Sequence, residues 1–118
     1  MSGFVNLVLA SSRNQITVSK TAVLFIEENL NEHNFTHLHC VGGITHVVVG
    51  AYHEIVEHFP KFFSASRSGD NTKVAINDWN LSYIEKSSEK TLIYFTETNV
   101  NLSIAQSYEE TTKYFHSL

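Results

Sequence analysis

The sequence has few residues that crosslink, kink or anchor a chain: among 118 residues there is one cysteine, one proline and no long hydrophobic run. A lone Cys40 excludes an internal disulfide, which is typical of proteins kept in a reducing compartment, so we expect a cytoplasmic protein. The first ten residues lack the basic segment and the long apolar stretch of a signal peptide. No run reaches the eighteen apolar residues that a membrane-spanning helix needs, so we expect no membrane association.

Basic residues are also scarce, with eight Lys and Arg against twelve Asp and Glu and a formal net charge of −4. Nucleic-acid-binding proteins cluster their basic side chains, and no such cluster occurs here, which argues against direct binding to DNA or RNA. The chain does carry seven histidines. Histidine gains positive charge in mildly acidic solution, which reduces the net negative charge of the protein. If this negative charge attracts a basic partner protein, we expect their association to slow as the pH falls.

What is abundant is large apolar surface: 42% of the residues are hydrophobic, and Phe, Tyr and Trp together make up 12%. Disordered chains are poor in aromatic residues, so this composition predicts a packed core. The length is typical of one domain. We therefore predict a single domain over residues 1–118.

Two β-hairpins are predicted in the first half of the chain. Residues 4–10 and 15–19 are short β-prone runs separated by the polar turn 11–14. Residues 35–41 and 44–51 flank Gly42 and Gly43, and a Gly-Gly pair between such runs is a hairpin signal because glycine tolerates positive φ.

Residues 20–30 are ambiguous between helix and strand. As a strand, Ala22, Leu24 and Ile26 share one face; as a helix, Val23, Ile26 and Leu30 form an apolar stripe with acidic residues outward. Ser19 provides an N-cap for the helical alternative. We favour the helix.

Two further helices are predicted. The apolar residues of segment 52–63 recur at helical spacing, and Pro60 should end or kink that helix near His58. At the C-terminus, residues 103–117 are predicted to form a helix that docks through Ile104, Tyr108 and Phe115. Ser103 and Gln106 have the spacing of a capping box at its start.

Residues 74–84 and 92–96 alternate in polarity, which predicts an antiparallel hairpin joined by the polar segment 85–90, with Trp79 largely buried. A change of phase predicts a turn or bulge near Asn77 and Asp78. Together these elements predict an α+β fold, a mainly antiparallel sheet of about five or six strands covered by two or three helices, including a C-terminal helix.

The only grouping that resembles a metal site is His37, His39 and His46. His37 and His39 share one side of the predicted strand, and the Gly-Gly hairpin brings His46 onto its neighbour. Zinc requires three or four converging ligands, and there is no CxxC pair, so we expect neither a metal nor another cofactor. The segment His53 to His58 fails as an HExxH motif because its histidines are five residues apart.

Catalytic signatures are otherwise missing, so the sequence does not identify an enzyme. Cys40 and His39 are neighbours on a strand and point to opposite sides, so His39 is a poor base for a thiol nucleophile. Phosphate-binding glycine loops and the GxSxG motif do not occur.

Two functions remain open. The first is a small acidic protein-binding domain that blocks a basic partner protein, in the manner of immunity proteins, antitoxins and inhibitors; the partner classes we consider include nucleases and other nucleic-acid-binding proteins. Its candidate contacts are Trp79, Asp78, Glu27, Glu28 and Glu32, where Trp79 is taken in its alternative role as an exposed aromatic anchor rather than a buried residue. A homo-oligomer is also compatible with the sequence. The alternative is a small enzyme or ligand-binding domain whose pocket is lined by His37, His39, His46 and Tyr52.

Overall fold

A computed structural model describes residues 3–97 and 99–118. Within that part of the chain there are ten strands and two α-helices. The strands are β1 (Phe4–Val8), β2 (Gln15–Ser19), β3 (Val23–Glu28), β4 (Phe35–Cys40), β5 (Ile44–Val49), β6 (Phe63–Ser66), β7 (Lys73–Ile76), β8 (Leu81–Ser87), β9 (Lys90–Phe95) and β10 (Asn101–Ile104). The helices are α1 (Tyr52–Val56) and α2 (Tyr108–His116).

The largest sheet has five antiparallel strands in the order β5-β4-β3-β7-β6. Strand β3 lies at its centre, and Val23 to Ile26 are buried. The register shifts between Val23 and Phe25, which marks a β-bulge at Leu24. Because of this bulge, Leu24 and Phe25 both pack on the side opposite to Val23.

Each face of this sheet is covered by a different group of elements. On one face, Ile26, Leu38 and Val48 form a buried cluster with residues of the β1–β2 hairpin and of α1. On the other face, a three-stranded sheet of order β10-β9-β8 packs together with α2. The buried residues that the five-stranded sheet contributes to this second cluster lie on β3, β6 and β7. The β4–β5 half of the same face carries half-buried and exposed side chains instead.

Both predicted N-terminal hairpins are confirmed. Strands β1 and β2 pair antiparallel, and β4 and β5 pair antiparallel around Gly42 and Gly43, whose φ angles are +80° and +72°. A bridge between Leu9 and Val48 attaches the first hairpin to the edge strand β5. Strand β5 is less buried than its Val-rich sequence suggests, because it lies at this edge.

The predicted fold class was wrong in its architecture. The described residues form sheets of two, five and three strands rather than one sheet of five or six, and two α-helices rather than a covering layer of helices. The physical reason is that one sheet covers another here. The three-stranded sheet buries Ile93, Phe95 and Leu102 against the central sheet, in the place that helices were expected to take.

The predicted helix over residues 20–30 is a short 3-10 turn (Lys20–Ala22) followed by β3. A strand buried on both faces loses the alternation that marks strands in a sequence, and its apolar run then resembles a helix. The predicted helix over 52–63 ends early, at Val56, before the expected stop near His58, and Phe63 already begins β6.

The predicted C-terminal helix exists but begins at Tyr108 rather than at residue 103. Its cap is Ser107, whose hydroxyl accepts a hydrogen bond from Glu110 N at 3.0 Å. Ser103 instead belongs to β10, and the Gln106 side-chain oxygen accepts from Ser66 N. The contact of Phe115 with the core is with Phe63, with ring centroids 5.3 Å apart.

The predicted hairpin of residues 74–84 with 92–96 is only half right. Strands β8 and β9 pair antiparallel, but they continue through the segment expected as a loop and leave only residues 88 and 89 as the turn. Residues 74–76 belong to β7 in the other sheet, and the expected break near Asn77 is the 3-10 turn Asp78–Asn80. The expected burial of Trp79 was wrong, since 69% of its surface is exposed.

Candidate functional site

Half-buried and buried residues alternate along strand β4. The structure confirms that His37 and His39 share its half-buried side. Their rings meet edge to face with centroids 6.2 Å apart. The register of β3 against β4 sets Glu27 directly opposite His37, so that all three side chains project from the same side of the sheet. We call Glu27, His37 and His39 the Glu27 cluster.

Glu27 is the charged centre of this cluster. Its Oε1 lies 2.8 Å from His39 Nε2, and its Oε2 accepts a hydrogen bond from Arg67 Nε. Burial of the carboxyl disfavours its charge, but the hydrogen bonds from His39 and Arg67 outweigh that effect and lower the pKa of Glu27 to about 2. The carboxylate is therefore ionised throughout the physiological range.

The rings of the cluster are held by their neighbours. His39 stacks on Phe25 with ring centroids 4.3 Å apart, and its Nδ1 lies 3.2 Å from the Thr45 hydroxyl. His37 Nε2 lies 3.4 Å from the Asn29 side-chain nitrogen. The Arg67 guanidinium lies over the same Phe25 ring, 5.8 Å from its centroid. The Phe25 ring therefore lies beneath both His39 and Arg67, and the contacts of His39 fix the orientation of its ring.

The three side chains of the Glu27 cluster offer ligand atoms that lie within 4.8 Å of one another, and all three are half-buried. Two imidazoles with one carboxylate are a donor set that binds divalent transition metals. Two of these side chains, Glu27 and His39, are hydrogen-bonded to each other, and Glu27 also forms an ion pair with Arg67.

Of the sequence-predicted metal candidates, His37 and His39 are brought together and His46 is not. His46 pairs with Leu38, and it therefore points to the opposite face of the sheet, where it lines a cavity beside Cys40. Glu27 was missed as a potential ligand because its segment was interpreted as a helix. The strand alternative for residues 20–30 was the only signal that could have found it.

The predicted partner-binding residues lie at two ends of β3. Asn77 N donates to Leu24 O, which sets the Asp78–Asn80 turn beside the start of β3. Glu28 ends that strand, where its carboxylate accepts from Lys73 N, and Glu32 is exposed in the following loop. Trp79 and Asp78 are thus separated from Glu28 and Glu32, and Glu27 is engaged in its internal ion pair.

The turn that carries Trp79 is held firmly. The Asn77 side chain accepts from Trp79 N at 3.1 Å, and its amide donates to Lys20 O and Val23 O at 3.0 and 2.9 Å. Asn80 is bound on both sides, by its side chain to Thr21 O and by its carbonyl to Thr96 N. Hydrogen bonds on both sides of Trp79 therefore hold the backbone that carries the exposed indole.

A surface cavity of about 300 Å³ lies where the ends of β3 and β4 meet α1. Its lining includes Tyr52, His33, His53, Glu28 and Lys73. Burial, followed by the field of Glu28, raises the pKa of the Tyr52 hydroxyl. The cavity thus contains the predicted Tyr52, but its histidines are different from the predicted group of His37, His39 and His46.

In the part of the chain that the structure describes, no helix is both long and apolar enough to cross a membrane. No protein-family model matches the sequence, no curated protein matches it significantly, and no solved structure matches it significantly.

Proposed function

We propose that this chain is a small acidic protein-binding domain that blocks a basic partner protein, as immunity proteins, antitoxins and other inhibitors do. The observation that carries this proposal is the exposure of Trp79, 69% of whose surface faces solvent on a turn fixed by Asn77 and Asn80. Tryptophan is the residue type most enriched among interface residues that dominate binding energy.

The fixed turn supports the proposal because little of its backbone has to become ordered when a partner binds. An interface loses affinity when flexible side chains and loops must be immobilised, and here the backbone hydrogen bonds have already immobilised the turn. Asp78, the residue before Trp79, lines one surface cavity together with Lys61, Ser117 and Leu118, and 56% of the Leu118 surface is also exposed. We call Asp78, Trp79 and Leu118 the Trp79 surface.

Charge supports a basic partner. The net charge of −4 gives an acidic field that speeds the approach of a cationic protein. Proteins that bind nucleic acids, nucleases among them, present cationic surfaces of this kind. We place the interaction in the cytoplasm, since the chain has one cysteine and no capacity for an internal disulfide.

A second candidate function is binding of a small polar ligand in the cavity around Tyr52. The observation that favours it is the mixture of Tyr52, His33, His53 and Lys73 around one concave space, which offers hydrogen-bond donors of several kinds. In that case a small molecule should co-purify with the chain, and its retention should fall when Tyr52→Phe removes the hydroxyl.

The first function is tested by using the chain as bait in extracts of its source cells, with bound proteins identified by mass spectrometry. We expect one basic protein in near-stoichiometric amount. Trp79→Ala should weaken its binding by at least about 2 kcal/mol, which is about thirtyfold in Kd. Leu30→Ala is the matched control, because Leu30 is also exposed (51%) but lies in the loop after β3, away from the Trp79 surface.

Three outcomes contradict this function. Equal binding by Trp79→Ala and Leu30→Ala would remove the Trp79 surface from the interface. Capture of further copies of the same chain alone would indicate a homo-oligomer. A co-purifying small molecule without a protein partner would favour the cavity around Tyr52.

A further inference from the structure

We propose that Glu27, His37 and His39 form a binding site for one divalent transition-metal ion, of which Zn²⁺ is the representative. This site is separate from the Trp79 surface, and the inference does not depend on the proposed protein-binding function. It rests on the convergence of three donor atoms within 4.8 Å on one side of the β3–β4 pair.

The chemistry of the donors fits such an ion. Zinc sites of the open type use three protein ligands, and two histidines with one glutamate are one of the known combinations. His37 and His39 are alternate residues of one strand, so both imidazoles leave the sheet on the same side, and Glu27 enters from the neighbouring strand opposite His37. Neither calcium nor magnesium would be favoured, because both prefer oxygen ligands.

The surroundings of His39 have the form expected around a ligand. A metal-binding histidine usually donates its second ring N–H to a neighbouring oxygen, which fixes the ring and leaves the other nitrogen for the ion. The Thr45 hydroxyl is 3.2 Å from His39 Nδ1, and His39 Nε2 faces the Glu27 carboxylate. An ion placed between Nε2 and that carboxylate would replace their direct hydrogen bond.

Arg67 donates to Glu27 Oε2, whereas Glu27 Oε1 is the oxygen that faces His39 Nε2, so an ion bound through Oε1 places its charge close to that of the guanidinium. The Arg67 side chain is 32% exposed, so the guanidinium has access to solvent. The nearby Asp70 supplies an alternative anion: its pKa is lowered first by hydrogen bonds from Thr72 and also by the charge of Arg67. The positive charge of Arg67 therefore opposes, but does not block, the binding of a cation by Glu27.

Three protein ligands leave at least one coordination position open. All three side chains are half-buried rather than enclosed, because the three-stranded sheet covers the β3, β6 and β7 part of this face and not β4 and β5. Because the site is only half-buried, solvent can supply a water ligand for that position.

The test begins with protein stripped by a chelator and titrated with Zn²⁺ by calorimetry and with Co²⁺ by visible absorption. We expect one ion per chain and, for Co²⁺, ligand-field bands. His39→Ala and Glu27→Gln should each weaken binding by about tenfold or more, since even changes outside the ligand set cost that much. Because Glu27→Gln breaks an ion pair, His37→Asn serves as a second variant that keeps a polar side chain at a half-buried position.

Two variants separate a metal site from a purely structural ion-pair network. His46→Ala is the matched control, because His46 lies on the adjacent strand but points to the opposite face. The affinity of this variant for the metal ion should equal that of the wild-type protein. Arg67→Ala removes the ion pair of Glu27 but none of the three ligands, so it should still bind one ion per chain. Absence of stoichiometric binding in the wild-type protein, or equal loss of affinity in His46→Ala, would each overturn the proposal and leave only the contacts of Glu27 with Arg67 and His39.

Discussion

Asn77 is the residue on which the join between the two larger sheets depends. It is buried, and one side chain satisfies the carbonyls of Lys20 and Val23 as well as the amide of Trp79. The residue follows β7 and precedes the turn that leads into β8. Its hydrogen bonds therefore tie the end of the central sheet to the beginning of the three-stranded sheet.

We expect Asn77→Ala to lower the free energy of unfolding by about 2 kcal/mol, because Val23 O near the core loses its side-chain donor, while Lys20 O keeps only its bond from Val23 N. Urea unfolding followed by circular dichroism measures this loss. Asn101→Ala is the control, since Asn101 is exposed on β10. Equal stability of the two variants would show that solvent replaces the Asn77 amide without cost.

Glu27 is expected to make the metal-free protein sensitive to acid. Its pKa in the folded chain is about 2 against an ordinary value of 4.5, since the hydrogen bonds from His39 and Arg67 outweigh the effect of burial. His37 of β4 and Asp70 are the other titratable groups around it. The resulting stabilisation is complete above about pH 4.5 and is lost as the pH falls towards 2.

After allowance for the partial exposure of Arg67, this contribution is on the order of 2 kcal/mol. Urea midpoints at pH 5 and pH 2.5 measure it, and the wild-type protein should lose more stability between them than Glu27→Gln does. Glu89→Gln, in the exposed turn after β8, should behave as the wild type. A parallel loss in wild type and Glu27→Gln would contradict the assignment.

At the scale of elements, the hydroxyl of Ser107 sets the start of α2. It accepts a hydrogen bond from Glu110 N, one of the amides that a helix leaves without an internal partner. Ser107→Ala should therefore cost about 1 kcal/mol of stability in thermal or urea unfolding, and Ser107→Asp should preserve the cap. An unchanged midpoint for Ser107→Ala would mean that solvent satisfies this amide equally well.

The elements that the sequence predicted correctly are those whose signals are local. The Gly-Gly pair at residues 42 and 43 identified a hairpin because positive φ is a property of the residues themselves. The apolar spacing near the C-terminus identified α2, but its start was predicted at Ser103. Residues 101–104 pair with β9 instead, so the helix begins later, at the cap Ser107; this tertiary pairing is not contained in the local pattern.

The Glu27 cluster could be predicted only in part, for the same reason. His37 and His39 share a side because of strand geometry alone. The place of Glu27 depends on which strand lies next to β4 and in what register, and that information is distributed along the chain. The exposure of Trp79 was missed because the segment from 74 to 84 was interpreted as one strand, whereas its two halves belong to different sheets.

At the scale of the whole molecule, the two buried clusters share their supporting strands. Strand β3 contributes Ile26 to one cluster and Phe25 to the other, and β7 contributes Ala75 and Val74 in the same way. The Cα radius of gyration is 13.9 Å, close to the roughly 13.5 Å of one compact domain of this length. We therefore expect the two clusters to unfold together.

Leu38→Ala in the first cluster and Ile93→Ala in the second should each destabilise the protein by about 2–5 kcal/mol. Both should shift a single transition without changing its slope against urea. Leu30→Ala, at an exposed position, should shift it much less. Two separate transitions, each sensitive to one variant, would contradict the prediction of a single domain over residues 1–118.

The position of β3 at the centre of the sheet also has a consequence for the order in which the protein folds. Its partner β4 follows after a short loop, but its other partner, β7, comes only after β4, β5, α1 and β6. Closing that longer loop costs chain entropy, and contacts between distant residues slow folding. While the chain is being synthesised, one edge of β3 has unpaired backbone groups until Ile76 has left the ribosome. An apolar strand edge of this kind is a template for pairing with other chains. The nascent protein is therefore most prone to aggregate in this interval, before the β6–β7 hairpin closes the sheet.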